Sequence, residues 1–284
     1  LVRSMFGVDD LPPAFLETVV SAGRGNPLFI EEALKGLVIR GRIRWTGTRW
    51  DFPGGPVPGE IPDGLRALFE TRLAGLKEGD RSALEALAVW ERPATMREVH
   101  ALAGAFSSED LAASLDGLHR QGLLERIGAR EGWIWRIRQS LLRDFIHERT
   151  DPDRARRLHA RAADHLASAR PQAGDPETAH HLLASGDAER GPAAALEATD
   201  TLLAAFRYDR GVALLERALA LKGDAPGRTA LLSRKTLLHM GAGETRDALE
   251  TALRAEQAFP SDPEAPPGLL LYTLFHGFEA ARIS

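Results

Sequence analysis

Residues 23–34, Gly-Arg-Gly-Asn-Pro-Leu-Phe-Ile-Glu-Glu-Ala-Leu, form the stretch whose side chains indicate chemistry beyond packing. Gly25 and Pro27 frame a sharp turn, and Pro27 suits the first turn of a helix, where its missing N–H is not needed. Apolar residues at helical spacing hold the following helix in place: Leu28, Ile30, Leu34 and Leu37. A rigid, partly apolar corner of this kind can contact a flat ligand. The alternative is an ordinary helix start after a flexible turn.

The nine histidines are the obvious candidates for metal ligands. His159 and His165 are six residues apart and do not share a helix face, whereas His180 and His181 are adjacent and point to different sides. The sequence contains no His-Glu-x-x-His motif and no cysteine. We therefore predict structural or surface roles for the histidines and no metal site.

The sequence also lacks the patterns of catalytic chemistry. No serine stands in a nucleophile elbow. No Gly-x-x-x-x-Gly-Lys-Ser/Thr phosphate loop occurs, and no hydrophobic strand ends in paired acids that would hold magnesium. We predict that these residues alone are not an enzyme and do not hydrolyse ATP.

Composition indicates a globular protein. The 284 residues are 44% hydrophobic, and no apolar run is long enough to span a membrane. No secretory signal is recognisable, and the absence of cysteine is compatible with a reducing compartment, so we expect a cytoplasmic protein. The net charge of −4 gives no global argument for binding nucleic acid or anionic membrane. The chain opens at Leu1 rather than methionine, which favours a fragment of a longer protein.

The first part of the chain reads as two helices and a hairpin. We predict helices over 12–22 and 27–40, and a β-hairpin over 43–52 around Thr46-Gly47-Thr48. Residues 53–59 are the segment richest in proline and glycine, and we place a boundary after residue 58. Trp45 and Trp50 lie on this hairpin, where they either cap a core or form an exposed contact edge.

Residues 59–150 read as one helix, then three further helices followed by a second hairpin. Helical patterns cover 61–76, 81–90, 96–103 and 111–121, and residues 107–110 resemble an N-terminal cap for the last of these. Residues 123–127 and 133–137 then read as paired strands. Three helices and a hairpin in this order are the layout of a winged-helix domain.

Almost everything in residues 151–284 is helical. The stretches 213–220 and 248–255 both place alanines at helix-packing positions and lie 35 residues apart, close to the tetratricopeptide period of about 34. We predict an α-solenoid of tetratricopeptide-like hairpins that continues past Ser284. The whole chain is thus predicted to be mainly α, with two short β-hairpins.

This order of elements resembles the C-terminal part of bacterial STAND-type signalling NTPases. The resemblance implies that residues 1–58 are the end of the helical lid of a nucleotide-binding module, followed by the winged helix and the tetratricopeptide-like repeats. The most specific motif is residues 25–32, Gly-Asn-Pro-Leu-Phe-Ile-Glu-Glu, which is similar to the family's Gly-x-Pro motif. The resemblance implies that Pro27 packs on or near the adenine and that Gly25 permits the turn. It also implies ATP or ADP with Mg²⁺, bound mainly by an upstream nucleotide-binding domain that carries the phosphate loop.

A second family motif leads from the wing into a helix, at residues 135–144. Gln139 stands where these proteins usually have a histidine, which can meet the β-phosphate of ADP. Glutamine donates a hydrogen bond but carries no charge, so we expect a weaker nucleotide lock or none. The resemblance further implies a protein or small-ligand partner on the helical repeats and a possible nucleotide-driven homo-oligomer.

Two other functions stay open. The chain can instead be an interaction scaffold without a nucleotide switch, or a DNA-binding regulator that uses its winged helix. For DNA, the helix over 111–121 and its cap are unfavourable, because Glu109, Asp110 and Asp116 outweigh Arg120. An arginine-rich segment over 149–161 is either a solvated helix face with internal ion pairs or a docking surface for an acidic partner.

Overall fold

The computed structural model describes residues 2–6, 11–23, 27–39, 41–47, 49–51, 63–104, 106–129, 132–223, 226–263, 265–266, 268–269 and 271–275. They form two compact units, Leu1–Pro152 and Asp153–Ser284. The predicted fold class, mainly α with two short hairpins and a helical array, is confirmed. The predicted boundary at 150/151 lies two residues from the division between the units, whereas the one at 58/59 lies outside the described residues.

The first unit begins with three helices and a short hairpin. They are α1 (Val2–Phe6), α2 (Pro13–Gly23), α3 (Pro27–Ile39), β1 (Arg44–Trp45) and β2 (Trp50–Asp51). The indole N–H of Trp50 donates to the Phe6 carbonyl at 3.0 Å, and the two rings pack edge to face. Trp50 therefore attaches the hairpin to α1, while Trp45 on the neighbouring strand is 54% exposed. A shared core lies beneath these elements: Val2, Phe6, Leu11, Phe15, Val19, Ile30, Leu34, Leu37 and Ile43.

The rest of the first unit combines five helices with a three-stranded antiparallel sheet. Its elements are α4 (Asp63–Ala74), α5 (Glu78–Trp90), β3 (Ala94–Thr95), α6 (Met96–Ala103), α7 (Ser108–Arg120), β4 (Leu124–Ala129), β5 (Gly132–Ile137) and α8 (Ser140–Arg149). The antiparallel sheet has the order β3-β5-β4, with Ala94 opposite Trp135 and Leu124 opposite Ile137. The two-residue strand β3 was not predicted, because it is too short to show an alternating pattern.

Residues 90–98 fix the start of α6 by buried polar contacts. Thr95 and Glu98 form a reciprocal capping box, in which each side chain bonds the other residue's backbone N–H. Arg92 donates to the Glu98 carboxylate at 2.7 Å, and the Trp90 indole donates to the Glu98 carbonyl. Burial raises the pKa of Glu98, but the Arg92 and Thr95 contacts together hold that pKa below its ordinary value.

The second unit is an array of antiparallel helices. It contains α9 (Pro152–Ala169), α10 (Pro176–Ser185), α11 (Arg190–Ala204), α12 (Tyr208–Lys222), α13 (Arg228–Ala242), α14 (Thr245–Ala258) and the short 3₁₀ helix Phe259–Ser261. From α10 to α14 each helix packs on the next, and α10 also contacts α12 while α11 contacts α13. Both alanine-rich stretches contribute fully buried small side chains, among them Ala218, Ala248 and Ala252. The helices thereby approach closely over a Leu/Ala core.

The start of α13 is capped by Asp262, which lies 33–35 residues beyond the two backbone N–H groups that it binds. The helix begins after Gly227, which has no side chain to cap it. The Asp262 carboxylate accepts from the backbone N–H groups of Gly227 and Thr229, both at 2.8 Å. Asp262 is 4% exposed, so this distant residue supplies a buried cap. In the part of the chain that the structure describes, no helix has the length and apolar character needed to cross a membrane.

The capping box yields a pH-dependent prediction. The folded pKa of Glu98 lies below the unfolded one, so its contribution is complete above about pH 4.3 and is lost as pH falls through the folded pKa. We expect Glu98→Gln to lower the free energy of unfolding by about 1–2 kcal/mol at pH 7 and by less below about pH 4. All five tryptophans lie in the first unit, so urea unfolding followed by tryptophan fluorescence measures this change. Glu91→Gln, at an exposed position nearby, is the matched control; a pH-independent difference contradicts the assignment.

Gly174, between α9 and α10, yields a second prediction. It has φ +73°, and an added Cβ would lie 2.8 Å from the carbonyl oxygen of Glu197. Gly243 has a similar φ of +77° but no atom within 4 Å of an added Cβ. We expect Gly174→Ala to destabilise the fold by about 2–4 kcal/mol and Gly243→Ala by about 1 kcal/mol. Urea unfolding followed by far-UV circular dichroism compares them, and equal losses would contradict the steric account.

Candidate functional site

The candidate site is the junction where β5 passes into α8. The backbone N–H of Arg138 donates to the Leu123 carbonyl at 2.9 Å, which extends the sheet contact beyond the last residue of β5. Gln139 is extended, with φ −116° and ψ 132°, and its carbonyl accepts from the N–H of Arg143 as the first bond of α8. The sheet therefore fixes the point at which the helix starts.

The side chain of Gln139 is buried, and its carbonyl oxygen accepts no hydrogen bond from the described residues. Gln139 is 7% exposed, and its Oε1 is fully buried with no hydrogen-bond partner among the described residues. It also does not cap α8, because no side-chain cap bond forms at this terminus. A buried carbonyl oxygen without a donor costs about 1–3 kcal/mol, and such groups in folded proteins usually have a specific reason.

The electrostatics of the junction favour an anion or a polar ligand. The first turn of α8 contains no acidic residue, and the preceding Arg138 is exposed. The helix dipole places partial positive charge at this end, and the first N–H groups of a helix have no partner within it. A phosphate group is the ligand most often bound at such a terminus. The junction thus combines an uncapped helix start, a nearby cation and a buried acceptor.

Helix α8 connects this junction with the rest of the first unit. Leu141, Leu142, Phe145 and Ile146 are buried, and α8 contacts α2, α4, α5 and β5. At its other end, Arg149 pairs with Glu70 of α4 at 3.0 Å. A movement of α8 at Gln139 would therefore change its packing against α2, α4, α5 and β5.

A cleft of about 440 Å³ lies at the C-terminal end of α8. Apolar and charged side chains of and near α4, α5 and α8 line it. They include Leu73, Leu84, Phe145, Glu70, Arg81 and Arg149. Its volume falls within the range of small-molecule sites. Beside it, Arg66 donates two hydrogen bonds to Glu148, at 2.9 and 3.1 Å, and these bonds lower the pKa of Glu148.

In the wing, the hairpin of β4 and β5, two described arginines, Arg126 and Arg136, contact acidic groups. Arg126 stacks on the Trp133 ring at 4.3 Å and lies 3.5 Å from the Asp116 carboxylate on α7. Arg136 donates to Glu125 at 2.8 Å. These contacts reduce the positive charge that this surface can present to a nucleic-acid backbone.

The three residues predicted to contact nucleotide have different outcomes. Gly25 lies outside the described residues, and Pro27 begins α3 with an exposed side chain. Gln139 occupies the junction. No hydrogen bond joins Pro27 to Gln139 in the part described, but α3 packs on α2 and α2 packs on α8. Both positions therefore belong to one unit, and the predicted nucleotide contact of each stays a prediction.

The structure also assembles a group of histidines that the sequence analysis did not combine. His159 of α9 meets His180 and His181 of α10, with one nitrogen from each ring lying within 4.8 Å of the others. The spacing of histidines along a single helix does not report a contact between two helices, so this group was not predicted. A signal was present, because His159 and the pair at 180–181 occupy predicted neighbouring helices.

Comparisons with protein-family models, with curated proteins and with solved structures each found no match.

The buried Oε1 of Gln139 predicts an unusual mutational effect. We expect Gln139→Met, which keeps the length of the side chain but removes the unsatisfied acceptor, to leave stability unchanged or raise it by about 1 kcal/mol. Gln121→Met, at an exposed position, should change stability by less than about 0.5 kcal/mol. Urea unfolding followed by tryptophan fluorescence measures both variants. A loss of more than about 2 kcal/mol in Gln139→Met would show that the side chain is structural.

Proposed function

We propose that this chain is a regulatory, non-catalytic segment of a STAND-type ATPase signalling protein. In this proposal it couples nucleotide state, through the winged helix, to a partner- or ligand-binding helical array. The observation that supports it most is the uncapped start of α8 at Gln139, beside the exposed Arg138. This is the position at which the resemblance implies a nucleotide contact.

The nucleotide in this proposal is ATP or ADP with Mg²⁺, held mainly by a module outside these residues. Pro27 would contact the base and Gly25 would permit the turn before it. The side-chain amide N–H of Gln139 would donate a neutral hydrogen bond near the phosphates, helped by the dipole of α8 and the exposed Arg138. The site on this chain is thus a partial one, completed by the domain that carries the phosphate loop.

Coupling would run through α8. A ligand at Gln139 that favours one packing of α8 also favours the corresponding positions of α2, α4 and α5, because all three contact α8. By linkage, any partner that prefers the other packing weakens nucleotide binding by the same factor. Autoinhibition and its release need no further element. We further propose that the protein acts in the cytoplasm and that nucleotide drives a homo-oligomer.

The helical array is the proposed partner-binding part, and Phe206 is its most notable surface residue. It lies in the turn between α11 and α12, is 76% exposed and has a positive φ of 55°. An exposed aromatic residue in a strained turn is suited to a protein contact. The same observation favours the second candidate function, an interaction scaffold without a nucleotide switch. DNA binding is less favoured, because the wing arginines contact acidic groups.

The decisive experiment uses this chain together with the nucleotide-binding domain that the proposal places outside it. Its bound nucleotide is released by denaturation and quantified, and ADP affinity is then measured by calorimetry. We expect co-purified ADP or ATP, about tenfold weaker ADP binding in Pro27→Ala, and tighter binding in Gln139→His, which restores a group that can carry charge. Gln121→His is the matched control and should bind as the unmodified protein does. A preceding sequence without a phosphate loop, or a protein without nucleotide, would favour the scaffold.

A further inference from the structure

The three histidines of α9 and α10 form a compact group in the second unit. The Nδ1 atoms of His159 and His181 face each other at 2.9 Å, and these residues are 4% and 1% exposed. His180 completes the group from the same helix as His181. From this geometry we propose a site for a zinc-type divalent cation, ligated by His159, His180 and His181. The inference does not depend on the proposed nucleotide function.

The spacing of the rings matches that of three imidazoles on one tetrahedral ion. With a Zn–N distance of about 2.0–2.1 Å, each ring centroid lies about 3.2 Å from the ion, so two centroids are about 5.2 Å apart. The His159–His181 and His180–His181 centroids are each 5.1 Å apart, and the His159–His180 centroids are 5.9 Å apart. The His159–His180 separation must shorten slightly for the three rings to surround one ion.

The donor set determines the class of ion. Three neutral imidazoles suit zinc, cobalt, nickel or copper, whereas magnesium and calcium prefer oxygen ligands. Two Nδ1 atoms at hydrogen-bonding distance must share one proton between them. When the ring that carries this proton holds it on Nε2 instead, the Nδ1 lone pairs of His159 and His181 can both be directed at one cation. Three protein ligands leave a fourth position of the tetrahedron for water or a further group.

Arg217 opposes this site and provides its sharpest test. Its guanidinium donates to His180 Nδ1 at 2.9 Å from the neighbouring helix α12, which occupies a ring nitrogen and places a positive charge beside the cation. A bound ion therefore requires the guanidinium to swing away. Removing the positive charge should tighten metal binding about fivefold, since charges within several ångströms interact appreciably in a partly buried site.

The site would connect two helices of the second unit. His159 lies in the middle of α9 and the pair lies in the middle of α10, so one ion would cross-link them. An ion that binds the folded chain and not the unfolded chain raises stability by mass action. Zinc should therefore raise the midpoint of thermal unfolding of the full chain by several degrees, in a concentration-dependent way.

The experiment is a titration of the full, tag-free chain with Co²⁺, followed by displacement with Zn²⁺. We expect one Co²⁺ per chain with the visible absorption of tetrahedral cobalt, lost on addition of Zn²⁺. His159→Gln should weaken Co²⁺ binding about 100-fold or more, because removing a residue that bonds the ion costs more affinity than removing one that only supports such a ligand. His165→Gln, on the same helix but outside the group, should leave it unchanged. Arg217→Gln should tighten it about fivefold.

A second group, His239 with Glu244 and Asp247, requires its own control. Its His239 Nδ1 already contacts Glu244 at 2.6 Å, so a hydrogen bond between these two residues explains their proximity. Cobalt binding that disappears in His239→Gln and persists in His159→Gln would overturn the proposal, as would the absence of a tetrahedral spectrum. Should His159→Gln not fold, the partly exposed His180→Gln tests the same loss.

Discussion

Four apolar side chains of α8, Leu141, Leu142, Phe145 and Ile146, are buried inside the first unit, and the packing of the surrounding elements depends on them. Phe145 packs against Phe69 of α4 with ring centroids 5.5 Å apart, and α8 also contacts α2, α5 and β5. The helix cannot shift without repacking these neighbours, because protein interiors are close-packed. Its start is fixed by the sheet, so the conformation at Gln139 and the packing of the unit are coupled physically. A ligand at this junction would act on a helix that contacts α2 as well as α4, α5 and β5.

The second unit depends on a different constraint, the close approach of helices that small residues allow. Gly241 of α13 lies against the Tyr208 ring of α12, where an added Cβ would be 2.5 Å from Cε1. Gly211 is similarly close to Leu238, and Asp262 caps α13 from beyond α14. Each helix is therefore specified by contacts with its neighbours, as expected of a stacked array. In the turn between α11 and α12, Phe206 is 76% exposed.

The sequence predicted the parts of the fold that have a strong period. Residues such as Leu111, Leu115 and Leu118 repeat at helical spacing, and they are buried on α7 as expected. Strand β3 and the cap from Asp262 were not predictable, because one is too short to have a period and the other is a long-range contact. At the candidate site, Gln139 was identified only through its place in a motif. Its buried, unsatisfied acceptor and the three-histidine group depend on tertiary structure, which spacing along one helix does not report.

The central claim is that nucleotide at the start of α8 changes the packing of that helix. Hydrogen–deuterium exchange of residues 138–152, measured with and without ADP on this chain together with the proposed nucleotide-binding domain, tests it most directly. The account predicts slower exchange along α8 and in the parts of α2 and α4 that contact it, with no comparable change in α7, because ligand binding stabilises the packing that the junction favours. Exchange that is unchanged along α8 while ADP is bound would contradict coupling through this helix and leave the winged helix as a structural support.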